Sequence, residues 1–216
     1  MVEVYDSVEQ SERVKGWLRE NGGAIIMGLV LAFGGLFGFK QWQVWDQNKS
    51  QRASAEYEVL LEELAEERLD PAVANFETLK ADHAGSAYTH LAALSMARAR
   101  VESGQGELAV SLLESVMKSG EPAPLREIAR ERLARLKIDL GDAEAALALI
   151  DAALTETGFE SRYAEIRGDA LAALGRNADA IAAYTEALER QETGIGFRPL
   201  LEMKRDALEA DAGMES

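Results

Sequence analysis

Only two imidazoles, His83 and His90, are present, and they fall in different segments with no H-E-x-x-H or G-x-S-x-G pattern around either. A histidine acting as general base needs a nucleophile or an orienting carboxylate beside it, and neither position supplies one in sequence. Cysteine is absent, which removes a thiolate nucleophile, a thiolate metal site and any disulfide. Gly104-Gln105-Gly106-Glu107-Leu108-Ala109 has the spacing of a dinucleotide-binding turn. Such a turn must leave a strand to aim a helix N-terminus at phosphate, whereas this one leaves a helical stretch and reads as a turn between helices. The carboxylates Glu62, Glu63, Glu66 and Glu67 lack the loop of a calcium site and read as a solvated helix face. No catalytic, metal or cofactor constellation is expected.

The remaining candidates are charges suited to binding. Arg126, Arg130, Arg132, Arg135 and Lys137 alternate with Glu127, Glu131 and Asp139 at helical spacing. One reading is a helix laced with i,i+4 ion pairs, each worth a few tenths of a kcal/mol. The other places Arg135 on the inner face of a first helix, where it joins Arg98, Glu131, Glu165 and Asp169 in lining a concave groove for a partner protein.

Positioning such a groove is the task of the rest of the chain. Its 216 residues are rich in alanine, leucine, glutamate and arginine and poor in proline, a bias toward an all-α fold. The formal charge of -15 argues against nucleic acid and anionic lipid as general partners.

Asn21 to Phe39 carries no charge and matches the roughly 20 residues that cross a hydrocarbon layer. Trp17, Trp42 and Trp45 flank it where an interfacial aromatic belt belongs, Trp17 and Trp42 being about 37 Å apart along a helix. Lys40-Gln41-Trp42 follows the apolar run where a signal peptide would have a small-residue cleavage site, so a retained single-pass anchor is expected. Arg13, Lys15 and Arg19 on one side balance Lys40, Lys49 and Arg52 on the other, so charge leaves orientation open. Gly34 and Gly38, and the row Ala24, Gly28 and Ala32, offer small faces for helix packing in a membrane.

Beyond the anchor, Leu140-Gly141, Ala146, Ile150, Ala153 and Leu154 recur as Leu174-Gly175, Ala180, Tyr184, Ala187 and Leu188, each pair separated by the 34 residues of a tetratricopeptide unit. Gly ends the first helix of a unit, and the alanines and Gly168 let neighbouring helices approach. Gly104, Ala109, Leu113 and Val116 form a looser earlier copy. The expected organisation is an N-terminal segment (1–20), a spanning helix with its aromatic exit (21–45) and a helical-repeat solenoid (46–216). Within the solenoid, units fall near 90–126, 127–160 and 161–194, Gly194-Ile195-Gly196 marks a break, and a charged capping helix covers 198–210. Asp142 and Asn177 are the expected N-caps of the second helices, and Asp70 caps a helix with Pro71 in its first position.

Arg13-Val14-Lys15, Glu20-Asn21-Gly22, the glycine-rich span to Gly38, the aromatic exit at Trp42, and Ala53-Ser54-Ala55 with Tyr57 together resemble the ancillary subunits of the bacterial SecYEG translocon, nearly end to end. The resemblance implies an inner-membrane protein with a cytoplasmic N-terminus and a periplasmic domain. It also implies SecYEG subunits, periplasmic chaperones and emerging secretory or membrane proteins as partners. A tethered scaffold for another envelope machine is the alternative within the same class.

Overall fold

A computed structural model describes residues 3–153, 158–191 and 198–214; Leu154 and Gly194-Ile195-Gly196 lie outside them. The described residues are helical throughout, with no strand among them: α1 (Glu3–Ala65), α2 (Leu69–Asp82), α3 (Ala87–Glu102), α4 (Gly106–Ser119), α5 (Pro124–Asp139), α6 (Ala143–Asp151), α7 (Glu160–Ala173), α8 (Asn177–Arg190) and α9 (Arg198–Met214). The chain divides into two units, Met1–Arg52 and Ala53–Ser216.

In the first unit the large apolar side chains of the central stretch stand in the open. Ile26, Leu29, Val30, Leu31, Phe33, Leu36 and Phe37 are all at least half exposed, and Phe37 reaches 73%. They point to all sides of the helix, as the sequence periodicity requires of a run with no polar face. No single helix among the described residues is by itself long and apolar enough to cross a membrane; the helix pair Glu12–Ala24 and Ile26–Ala65, bent by 47°, matches a span by length and composition only.

The second unit is a stack of helix hairpins. From α2 onward each helix packs against the next, and α5 also touches both α3 and α7, so the first helices of successive hairpins lie side by side. Alanine makes this stacking dense: Ala72, Ala92, Ala109, Ala129, Ala146, Ala170, Ala180 and Ala187 are fully buried. Larger residues fill the gaps they leave, Leu60, Leu79 and Met96 toward the start and Leu133, Ile166 and Tyr184 further on. The buried residues form three successive clusters along the stack.

The hairpin turns share one chemistry. Asp142 N–H reaches the Lys137 carbonyl (2.8 Å) and Gly141 N–H the Ile138 carbonyl (2.9 Å), and Arg176 and Gly175 repeat the pair on Leu171 and Ala172 (2.9 Å each). This double closure satisfies two orphan carbonyls at the helix end and demands a left-handed residue, here Gly141 (φ 85°) and Gly175 (φ 73°). The second helices then start differently. Asp142 caps α6 by accepting from Ala145 N–H (3.2 Å). In α8 the equivalent position, 34 residues on, is Arg176, and its carbonyl accepts the first helical bond from Ala180 (3.0 Å). Asn177 is therefore the first helical residue and not the cap, and Arg176 meets Asp179 instead (2.6 Å). Likewise α2 begins at Leu69 with Arg68 at its cap, which places Asp70 and Pro71 inside the first turn.

Candidate functional site

The inner row of charges begins with side chains carried by the first helix of each hairpin. Arg135 of α5 reaches Glu165 (3.3 Å) and Asp169 (3.6 Å) of α7, and Glu131 one turn away on its own helix (3.6 Å). Arg162 of α7 returns to Glu131 (3.1 Å). Side-by-side first helices are what bring residues some thirty positions apart into contact.

Four of the five expected groove residues, Glu131, Arg135, Glu165 and Asp169, thus belong to one network. A third cation, beside Arg135 and Arg162, is Lys204 of α9, bonded to Glu165 (3.0 Å) and to both oxygens of Asp169 (2.8 and 3.0 Å). Tyr184 of α8 donates its hydroxyl to Asp169 (2.8 Å), and the Lys204 ammonium lies 5.9 Å from the centre of the Tyr184 ring. The charge-rich α9 therefore does more than solvate the end of the stack: it buries Leu201 and delivers a cation to the row.

Burial opposes charge on Glu165, but Arg135 and Lys204 outweigh it and hold the carboxyl below its ordinary range. Burial likewise opposes charge on Lys204, and the Asp169 and Glu165 carboxylates overcome it, strengthening the hold on its proton. Burial and Asp169 together push the Tyr184 hydroxyl well up. Because Glu165 binds its proton less readily when folded than unfolded, the stability it contributes is full above the unfolded carboxylate value of about 4.3 and is lost as pH falls through the lowered folded value. Replacing Lys204 by Met should therefore give a shallower loss of stability between roughly pH 5 and 3, followed by thermal denaturation across that range. An acid slope unchanged by the substitution would remove Lys204 from the causes.

Arg98 stands apart from this network. Its side chain is 77% exposed and pairs with Glu102 on its own helix (2.7 Å). It shares with Arg135 the walls of an open groove of about 390 Å³ between α3 and α5, floored by Ala97, Leu113 and Leu136. Arg132, on the same wall, donates only to the Leu94 carbonyl at 3.5 Å among the described residues.

A second polar constellation lies buried in the stack. Tyr163 of α7 donates to the Glu127 carboxylate of α5, Arg130 donates to the same oxygen (3.3 Å), and the Arg130 guanidinium also reaches the Leu149 carbonyl of α6 (3.0 Å). Burial and Glu127 push the Tyr163 hydroxyl well up, which keeps it a donor. Nothing in the local sequence singles out Glu127 from the exposed acids beside it.

The other candidates resolve into local structure. His83 is buried in the α2–α3 turn with Nε2 3.7 Å from Glu56, while burial lowers the proton affinity of His90. Gly104 closes α3 with the same double carbonyl closure as Gly141, so the G-x-G-x-x-A stretch follows a helix. Glu63 and Glu66 both pair with Arg68. Among the described residues no group of His, Asp and Glu could hold a metal.

Of the repeat residues, Ala146, Ala180, Ala187 and Tyr184 are buried, and a Cβ added at Gly168 would fall 2.5 Å from the Tyr184 ring. In the first unit Ala24 and Ala32 are exposed, and a Cβ added at Gly28, Gly34 or Gly38 would meet nothing within 4 Å. Trp17, Trp42 and Trp45 are exposed, Trp42 leaning on Phe39 (6.1 Å between ring centres) and Trp45 under the Lys49 ammonium (5.7 Å).

The chain is similar to known proteins over most of its length. The ancillary SecYEG translocon subunit of Haemophilus influenzae is 28% identical over 191 residues, covering 87% of this chain and 91% of the relative. That of Escherichia coli is 29% identical over 206 residues, covering 94% and 97%. Among solved structures, a fragment of MamA from Desulfovibrio magneticus superposes with a TM-score of 0.51 at 16% identity, covering 73% of this chain and 89% of its own, a likeness of fold alone. A model of the tetratricopeptide repeat-like domain matches residues 15–210, from before the apolar stretch to the closing helix, and to that family the chain belongs.

Proposed function

We propose that this chain is a noncatalytic, single-pass adaptor of the SecYEG translocon in the bacterial inner membrane. In this reading residues 21–45 anchor it, the N-terminus is cytoplasmic, and the periplasmic repeat domain meets emerging secretory or membrane proteins together with periplasmic chaperones. The similarity to ancillary SecYEG translocon subunits, which runs through almost the full length of both chains, carries the reading.

Three physical observations support it. The uncharged stretch exposes apolar side chains on every side of its helix, which water tolerates poorly and a lipid core accepts. The small faces at Ala24, Gly28 and Ala32 and at Gly34 and Gly38 leave open space for close approach of another spanning helix. The repeat domain directs its polar groups at one another, in ion pairs and carboxylate–hydroxyl bonds, an arrangement that suits a rigid binding scaffold.

A photoreactive amino acid at Gly28 or Phe33 should crosslink to translocon subunits in native membranes, and the complex should survive mild detergent. Full-length protein that washes off membranes with carbonate, or crosslinks that capture only other envelope proteins, would end this proposal.

A further inference from the structure

The inner face of the repeat domain has two halves of opposite character. Between α5, α7 and α9 every charge of the row has an internal partner: Arg135 with Glu165 and Asp169, Lys204 with the same two carboxylates, Arg162 with Glu131. A ligand entering there would have to break pairs that already satisfy one another. Between α3 and α5 the row is open. Arg132 is exposed and has no carboxylate partner among the described residues, and the pairing of Arg98 with Glu102 is solvent-exposed and so costs little to exchange.

The floor of this open half is apolar, and Val101 at its edge is 43% exposed, far more than the buried Leu113 and Leu136 beside it. Along the groove the charges are sorted. Arg132 lies in the middle of α5, Arg98 and Arg135 lie one turn before the ends of α3 and α5, and Glu102 and Asp139 are the last residues of the same two helices. The slot therefore has an apolar floor, a cationic wall and an acidic exit.

We propose that the α3–α5 slot docks a partner-protein segment in which one large apolar side chain stands beside carboxylates. The apolar side chain covers Val101 and the slot floor, and the carboxylates face Arg132 and Arg98. Guanidinium groups suit this role, since each can hold a carboxylate through two parallel N–H donors. The proposal deepens the adaptor reading, resting on it only in taking a protein segment as the occupant, and it moves the docking site off the α5–α7 carboxylates to the opposite side of Arg135.

The test uses full-length protein in nanodiscs and three fluorescein-labelled peptides read by anisotropy. One has a central leucine flanked by aspartates, the second replaces the aspartates with lysines, and the third replaces the leucine with serine. The aspartate–leucine peptide should bind best and weaken with added salt. Arg132→Glu should weaken it by about 10-fold or more, and Val101→Gln by a few-fold, while Arg190→Glu on the exposed edge of α8 changes nothing. Circular dichroism checks that each variant is folded, and both slot positions are exposed enough to accept the change. Equal binding of the lysine peptide, binding unaffected by Arg132→Glu, or no binding of any peptide would overturn the proposal. Photocrosslinks from Gly28 or Phe33 to the translocon should persist in both slot variants, so a failed slot and a failed adaptor reading give different results.

Discussion

Gly168→Val is expected to lower the unfolding temperature of the repeat domain by roughly 6–12 °C, the equivalent of about 3 kcal/mol for a domain of this size. The first added carbon would fall 2.5 and 2.6 Å from two carbons of the Tyr184 ring. That ring cannot swing aside cheaply, because Tyr184 is only 3% exposed and its hydroxyl is held by Asp169 at 2.8 Å. The sign is what makes the experiment informative. In an exposed helix interior, replacing glycine by a larger residue stabilises, by up to about 1 kcal/mol for alanine, so destabilisation by Gly168→Ala reports the helix contact itself.

The chain contains its own control. Thirty-four residues earlier the same two positions are Ala134 and Ile150, members of one buried cluster. One hairpin pairs a methyl group with an aliphatic side chain, and the next removes the methyl group and admits an aromatic ring. Gly168→Ala should accordingly cost much less in a Tyr184→Ile background, a coupling read from differential scanning calorimetry of the four chains. Purely additive effects would show that the ring is not what constrains Gly168.

The same pairing explains why the stack was legible in sequence. Close helix approach forces small residues to recur at fixed intervals, and Gly141 with Gly175, and Ala146 with Ala180, carry that interval directly. Inner-row charges were legible for a related reason: positions 131 and 135 and positions 165 and 169 are each one helical turn apart on first helices of successive repeats. Lys204 was not, because α9 follows the last repeat, beyond the reach of the 34-residue register, and its charges read as solvation. Arg132 was legible as a charge but not as one without a carboxylate partner among the described residues, since only the helix arrangement shows that Glu131 beside it pairs elsewhere. Asn177 was misread as a cap because residue type outweighed register: the repeat places the cap at Arg176, a poor capping residue for which the turn compensates.

Glu127 is the residue whose importance sequence hides most completely, and Glu127→Ala should cost about 2–4 kcal/mol. It lies on a helix crowded with exposed charge, yet it is only 9% exposed and joins α5 to α7 through Tyr163, 36 residues away. Truncation leaves the Tyr163 hydroxyl and the Arg130 guanidinium without their shared acceptor. Both keep a weaker alternative, the Glu127 carbonyl at 3.5 Å for the hydroxyl and the Leu149 carbonyl at 3.0 Å for the guanidinium, which holds the loss below that of a wholly stranded ion. Part of the effect belongs to α5 alone, since an acid in the first turn of a helix is worth roughly 0.3–1 kcal/mol against the helix dipole. Tyr163→Phe separates the two contributions: it abolishes the cross-helix bond and leaves the dipole term untouched. In urea denaturation the Glu127→Ala and Tyr163→Phe losses should therefore be less than additive in the double variant, with Glu127→Gln intermediate because it retains an acceptor but no charge. A Glu127→Ala loss under about 0.5 kcal/mol, the scale of ordinary surface substitutions, would mean that the buried carboxylate does not hold the two hairpins together.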